Sequence, residues 1–166
     1  MQVIIRKMRA EDIHGAANVH KETFVRQRDS EKWITCNYRA YPRIQQFVAT
    51  LEDCVIGYIQ WVQKSGFREE VVLELEQIGV LPSHQGKGVG RRLIVESLPL
   101  VVDELGSRDA VLKHVMVTTR ADNYAQRLYR DVLGAEIECT VTDLYSADEV
   151  IMISRNIDIN AIKQNK

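Results

Sequence analysis

The sequence predicts a mixed α/β domain in a single unit, with the element order β-α-α-β-β-β-α-β-α-β-β. Three observations carry that reading. Strand-like apolar runs alternate with stretches whose apolar residues recur at helical spacing. A glycine-rich run, Gln85-Gly86-Lys87-Gly88-Val89-Gly90, joins the clearest strand to the longest helical pattern. The chain has 166 residues, 45% of them hydrophobic, which suits one domain over residues 1–166 with a sizeable core.

Val3-Ile4-Ile5 reads as the first strand. Ala10-Glu11-Asp12 then places acidic residues where a helix begins, which suits the helix dipole. Ile13, Ala16, Ala17, His20 and Phe24 follow at helical spacing. A second helix falls within the polar stretch Arg26 to Arg43 and ends before Pro42. Gln46 to Leu51 and Cys54 to Val62 form a hairpin about Glu52-Asp53, and Lys64-Ser65-Gly66 ends it. Val71 to Leu81 is the clearest strand, stopped by Pro82. The helix after the glycines buries Val89, Leu93, Ile94, Leu98, Val101, Val102 and Leu105, and Pro99 should kink or split it. His114 to Thr118 is a short strand. Asp122-Asn123 opens a helix that runs through Leu133 and stops at Gly134. Ile137 to Tyr145 and Glu149 to Ile157 pair as a terminal hairpin around Ser146-Ala147-Asp148. The polar tail, from about residue 159 to 166, reads as frayed.

Charge and composition exclude several classes. The net charge is -1, which argues against nucleic acid as a partner and offers nothing to an anionic membrane. No apolar stretch approaches the ~18 residues of a membrane helix, and the start of the chain turns charged too soon for a secretory signal. Cys36, Cys54 and Cys139 are scattered and odd in number. They form neither a disulfide framework nor a metal-ligand set, so no metal is expected and a cytoplasmic location is the simplest reading.

The glycine run presents bare backbone N–H groups at a helix N-terminus, a site for phosphate or pyrophosphate. It is not a P-loop, because Lys87 is followed by Gly88 where Ser or Thr is needed. It is not the dinucleotide fingerprint either, since Gly90 comes only two residues after Gly88.

What remains is Gln/Arg-x-x-Gly-x-Gly after a strand ending in proline. The stretch Val80 to Leu93 resembles the acetyl-CoA-binding signature of the GNAT (Gcn-five-related) N-acetyltransferase superfamily. Asn123-Tyr124-Ala125-Gln126-Arg127-Leu128-Tyr129, with Gly134 beyond, resembles that family's later motif. There are departures: Gln126 stands where alanine is common, one extra residue separates Tyr129 from Gly134, and Ala135 replaces the usual phenylalanine. The element order agrees along nearly the whole chain. The resemblance implies a GNAT-like fold, with a central, mostly antiparallel mixed sheet of about seven strands flanked by about four helices.

The resemblance further implies that backbone N–H groups of Gln85, Gly86, Lys87, Gly88, Val89 and Gly90 hold the CoA pyrophosphate. Arg91 or Lys87 would add a charge-assisted contact. Ile78 to Val80 would pair with the pantetheine arm, and the N–H of Ile78 or Val80 would stabilise an oxyanion. Gly79 within that strand fits a bulge or a close ligand approach. Acetyl transfer to an amine requires removal of an ammonium proton, whose pKa is near ~10. Glu74 and Glu76 lie two apart on one strand and compete for that role; Glu76 is nearer the reacting end. The alternative is that both are solvated strand charges. Tyr129 matches the family's tyrosine that gives a proton to the departing sulfur, against a plain packing role on its helix. Asn123 would contact pantetheine or cap its helix.

Other candidates are weaker. His84 reads as an exposed loop residue, His14, His20 and His114 have no nucleophile at motif spacing, and Cys139 reads as buried filler. Trp33, Tyr38, Tyr41 and Trp61 pack the core or line an acceptor pocket. The sequence thus points to an acetyl-CoA-dependent N-acetyltransferase acting by direct attack, on a small-molecule amine or a protein or peptide amine. The alternatives are a catalytically silent CoA-binding regulatory module and an aminoacyl-tRNA-acetylating toxin. The acceptor would be set by Phe24 to Arg43, Gly66 to Glu70 and the last hairpin, where Glu22, Asp29, Glu31, Glu69 and Glu70 offer carboxylates. Monomer and homodimer are both open.

Overall fold

A computed structural model describes residues 2–164. The strands are β1 (Ile4–Lys7), β2 (Ile44–Leu51), β3 (Cys54–Gln63), β4 (Glu70–Val80), β5 (Val111–Arg120), β6 (Glu136–Val141) and β7 (Glu149–Arg155). The helices are α1 (Ile13–Thr23), α2 (Ser30–Tyr38), α3 (Val89–Gly106), α4 (Gln126–Leu133) and α5 (Ile159–Gln164). The seven strands form one sheet in the order β1-β2-β3-β4-β5-β7-β6. Only β4 and β5 run parallel, joined by the α3 crossover. The mixed, mostly antiparallel sheet expected from the sequence is present.

Local chemistry explains the boundaries. Glu52 and Asp53 both take positive φ, 51° and 62°, as a two-residue hairpin requires. The sheet is covered on both faces. On one, Trp61, Leu73 and Leu75 pack against Leu93, Ile94 and Leu98 of α3. On the other, Val48 and Tyr58 pack against Ala16, Val19 and Ile34 of α1 and α2. The Trp61 indole N–H donates to Ser97 Oγ at 2.8 Å, which ties β3 to α3.

Several boundaries differ from the sequence reading; β5, for one, runs over Val111–Arg120 rather than His114 to Thr118. Pro99 does not split α3, which runs unbroken for 18 residues. Leu98 and Val101 are fully buried on either side of it, so packing holds one axis despite the missing N–H. Helix α4 starts at Gln126 rather than Asp122, because Asn123 Oδ1 accepts the Ala125 N–H in a turn of its own. Gly134, at φ 64°, ends it as expected. Strand β6 stops at Val141 rather than Tyr145, since Asp143 adopts φ 47° and its N–H bonds Asp148 Oδ1. The tail is not simply frayed. Asp158 Oδ1 accepts the N–H groups of Asn160 and Ala161, capping α5, and Ile162 is buried in the α3-side core. Residues 165 and 166 lie outside the described residues. Among the described residues no helix is long and apolar enough to cross a membrane.

Candidate active site

The site begins where β4 and β5 part. Their parallel pairing runs from Glu70↔Val111 to Glu74↔Met116 and ends there. Beyond that point, among the described residues, the β5-facing edge of β4 has no strand partner over residues 75–80. A cleft of ≈ 270 Å³ opens between Ile78, Gly79 and Val80 on β4 and Val117 to Thr119 on β5. Glu76, Gln85, Asn123 and Tyr129 also line it.

At one end of the cleft lies the glycine loop. Gly86 and Gly88 have φ of 72° and 78°, values that L side chains rarely adopt. The Gln85 N–H, expected among the pyrophosphate donors, is taken by the Pro82 carbonyl at 3.3 Å, whereas none of the backbone N–H groups from Gly86 to Arg91 donates to another backbone group among the described residues. They form the start of α3, whose dipole favours an anion there. The Gln85 side chain donates to the Val80 carbonyl at 2.9 Å, fastening the loop to the end of β4. Lys87 Nζ donates to the Ser83 carbonyl at 2.9 Å and stays exposed. Gly90 is under less constraint: an added Cβ would sit 3.6 Å from Leu128 Cδ2, an ordinary contact. Val89 is buried and belongs to the core side of the helix start. This loop fits a pyrophosphate on the chemistry of its donors.

The two glutamates differ. Glu74 forms an ion pair with Lys64 at 2.7 Å and does not line the cleft. Glu76 does line it. The β3–β4 register jumps from Gln60↔Gln77 to Trp61↔Leu75, which makes Glu76 the extra residue of a β-bulge. The Gln60 amide donates to Glu76 Oε2. Desolvation raises the Glu76 pKa above the usual carboxylate range, and the Glu74 charge adds to that, while Gln60, Lys64 and Arg43 oppose it. The residue is exposed as a whole; the raised pKa reflects protein packed about its carboxyl end.

Gly79 is not the bulge. A Cβ there would lie 2.8 Å from Thr23 Oγ1, 3.3 Å from Tyr58 and 3.4 Å from Phe24. The close approach this glycine permits is that of the end of α1, and the residue also lines the cleft.

Tyr129 projects from α4 into the cleft and is 5% exposed. Its phenol has no hydrogen-bond partner among the described residues, and burial pushes its pKa up to about 12. It therefore carries a proton across the working range of pH. Asn123 is engaged at both ends: its amide donates to Thr119 Oγ1 at 2.9 Å and its Oδ1 accepts from Ala125. It joins the end of β5 to the start of α4.

Several residues at the site carry no sequence signal. Thr23 lines the cleft beside Phe24, at the end of α1. Gln77 Oε1 accepts from Tyr58 Oη at 2.7 Å and Trp33 Nε1 at 2.8 Å, and its amide donates to Gln27 at 3.0 Å. Gln27 Oε1 meets His20 Nε2 at 2.8 Å, and His20 Nδ1 meets Ser30 Oγ at 2.8 Å. His20, fully buried, thus anchors the α1–α2 loop. Arg26 in that loop donates to Ser146 of the last hairpin at 3.2 Å. Tyr38 and Tyr41 line a different cavity, and Trp61 is core. Cys139 is exposed, because β6 is the edge strand, so it is not buried filler.

The Acetyltransferase (GNAT) family model matches residues 12–135, which include the loop, Glu76 and Tyr129. The chain belongs to the GNAT acetyltransferase family. As a GNAT protein it is an acyltransferase with acetyl-CoA as donor. No curated protein matches it in sequence. Solved structures share the fold at low identity. The ribosomal-protein-S18-alanine N-acetyltransferase from Escherichia coli is 23% identical, covering 93% of this chain and 94% of that one, with a TM-score of 0.70. NAA60 from Arabidopsis thaliana, in complex with acetyl-CoA, is 18% identical over 93% and 99%, with a TM-score of 0.74. An aminoglycoside 6'-acetyltransferase type Ii is 16% identical over 93% and 98%, with a TM-score of 0.71.

Proposed function

We propose that this GNAT protein transfers the acetyl group of acetyl-CoA to a primary amine by direct attack, without a covalent enzyme intermediate. The observation that carries the reading is the convergence of Glu76, Tyr129 and the open edge of β4 on one cleft that ends at the glycine loop. In this reading the bare N–H groups of Gly86 to Arg91 hold the pyrophosphate. The unpaired edge of β4 at Ile78 and Val80 takes the pantetheine arm and supplies an N–H to the developing oxyanion. Acetyl-CoA supplies the activated thioester.

Glu76 takes the ammonium proton of the acceptor, directly or through one water; its raised pKa brings it closer to that task. Glu74, held by Lys64, acts as a neighbouring charge. Tyr129 donates its proton toward the departing sulfur, and desolvation keeps the phenol protonated until then. Two proteins of the same fold are a ribosomal-protein-S18-alanine N-acetyltransferase and an aminoglycoside 6'-acetyltransferase, which supports an amine acceptor here. The α1–α2 loop, pinned by Gln77 and His20 and bridged to the last hairpin through Arg26, borders the acceptor side.

The test is Tyr129→Phe. The variant should bind acetyl-CoA as the wild type does and lose most of its amine-dependent thiol release. Unchanged turnover would reject the acid role.

A further inference from the structure

Two buried glutamines stand side by side in the sheet next to Glu76. Gln60 of β3 is fully buried, and Gln46 of β2, its direct cross-strand partner, is 3% exposed. A buried amide costs more than an apolar side chain of its size unless it is hydrogen-bonded, so packing alone does not account for this pair. Gln60 also lies at the β3–β4 register break that makes Glu76 the extra residue of the bulge.

The three side chains form one directed row. Gln46 Nε2 donates to Gln60 Oε1 at 2.8 Å, and Gln60 Nε2 donates to Glu76 Oε2. An ionised carboxylate can only accept, so Glu76 fixes which end of Gln60 it meets, and Gln60 in turn fixes Gln46. The row ends on a buried Gln46 Oε1 that has no donor among the described residues. Either sense of the row would leave one Gln46 atom over. The sense adopted is the one that gives Glu76 a donor. Among the described residues that amide is the one side-chain hydrogen bond to Glu76, and Oε1 is left free. The charged and titratable groups around Glu76 are Glu74 on β4, Lys64 after β3, Arg43 before β2, Tyr58 on β3 and, lining the same cleft, Tyr129 on α4.

We propose that Gln60, oriented by Gln46, is the positioning residue of the proton acceptor: it ties Glu76 Oε2 to the sheet and leaves Oε1 as the atom that takes the ammonium proton. Gln60 has this role only if Glu76 is the base, as proposed above. In the step, the ammonium N–H bond breaks, its electron pair stays on the nitrogen that attacks the thioester, and the proton joins Oε1. The Gln60 N–H stays on Oε2 before and after, so neither amide has to turn over. By donating to the carboxylate it also favours the ionised form that can accept a proton.

In the wild-type protein, a side-chain amide proton of Gln60, followed by NMR, should shift downfield as Glu76 ionises, with a midpoint above the ordinary carboxylate range. Rates are then measured against pH with kanamycin and with an alanine-initiated peptide as acceptors. Gln60→Met keeps nearly the same volume and removes the donor. Its acid limb in kcat/KM should move up by about one pH unit, with acetyl-CoA affinity retained. Gln46→Met frees Gln60 without removing its N–H and should move the limb the same way by less. A Gln60 amide that does not titrate, or an even loss of rate at all pH with an unmoved limb in Gln60→Met, would overturn the positioning role and leave Glu76 as the base. An acid limb that survives in Glu76→Gln would overturn the base reading, and the role of Gln60 with it. The NMR titration needs neither a variant nor an acceptor.

Discussion

The acid role proposed for Tyr129 rests on its environment. A phenol with no internal partner, buried in a cleft wall, keeps its proton up to a pKa of about 12. Removing only its oxygen should lower acetyl transfer by about 10²- to 10⁴-fold, with acetyl-CoA affinity retained, as read by thiol release and titration. Glu76 gives the complementary prediction. It must be ionised to accept a proton, so kcat/KM should fall as pH drops through its pKa. Because that pKa is raised, the acid limb should lie above the ordinary carboxylate range. Glu76→Gln should lower activity and lose that limb in a pH–rate profile. Tyr129 and the glycines were legible in the sequence because each sits in a local motif. The sequence leaned to Glu76 over Glu74 by its place on the strand, but the Lys64 pair and the bulge that set the two apart depend on cross-strand register. Gln60 and Gln77 had no signal at all, since their partners lie 14 to 50 residues away in sequence.

Elements are joined by a few polar ties whose worth can be measured. Asp12, at the entry to α1, accepts two hydrogen bonds from the Arg6 guanidinium of β1, at 2.6 and 2.8 Å, and one from the Arg9 N–H. Burial works to raise its pKa, but these donors more than offset that, and the carboxyl stays below its usual range. A depressed carboxylate pKa contributes stability that is present above the unfolded value of ~3.9 and is lost as pH falls through the folded value. Asp12→Ala should cost about 2–3 kcal/mol at neutral pH, with the deficit shrinking in acid, by urea unfolding. Element boundaries were the least legible part of the chain. Asp158 was readable in principle as a cap before Ile159 and Ile162, but the polar tail hid so short a helix. Pro99 was misread because the rule for proline ignores the burial that holds the helix axis.

For the whole molecule, the sheet separates two cores that share their strands. Trp33 borders the core under α1 and α2, and Trp61 lies in the core under α3. If the chain is one folding unit, single-tryptophan variants carrying either residue should report the same urea midpoint as far-UV circular dichroism; separated midpoints would divide it. The overall topology was legible because apolar periodicity and the glycine loop fixed the order of elements. The parting of β4 from β5 was not, because it arises where the ladder stops at Glu74↔Met116, and nothing local marks that point. The meeting of the α1–α2 loop with the last hairpin through Arg26 and Ser146 was not legible either, because those residues lie 120 apart in sequence. The central claim is tested most directly by incubating the protein with acetyl-CoA and a panel of primary amines, following free thiol and acetylated amine by mass spectrometry. Thiol release matched one-to-one by an acetylated amine, and largely lost in Tyr129→Phe, is the predicted result. Tight acetyl-CoA binding with no acetylated amine from any class would contradict it.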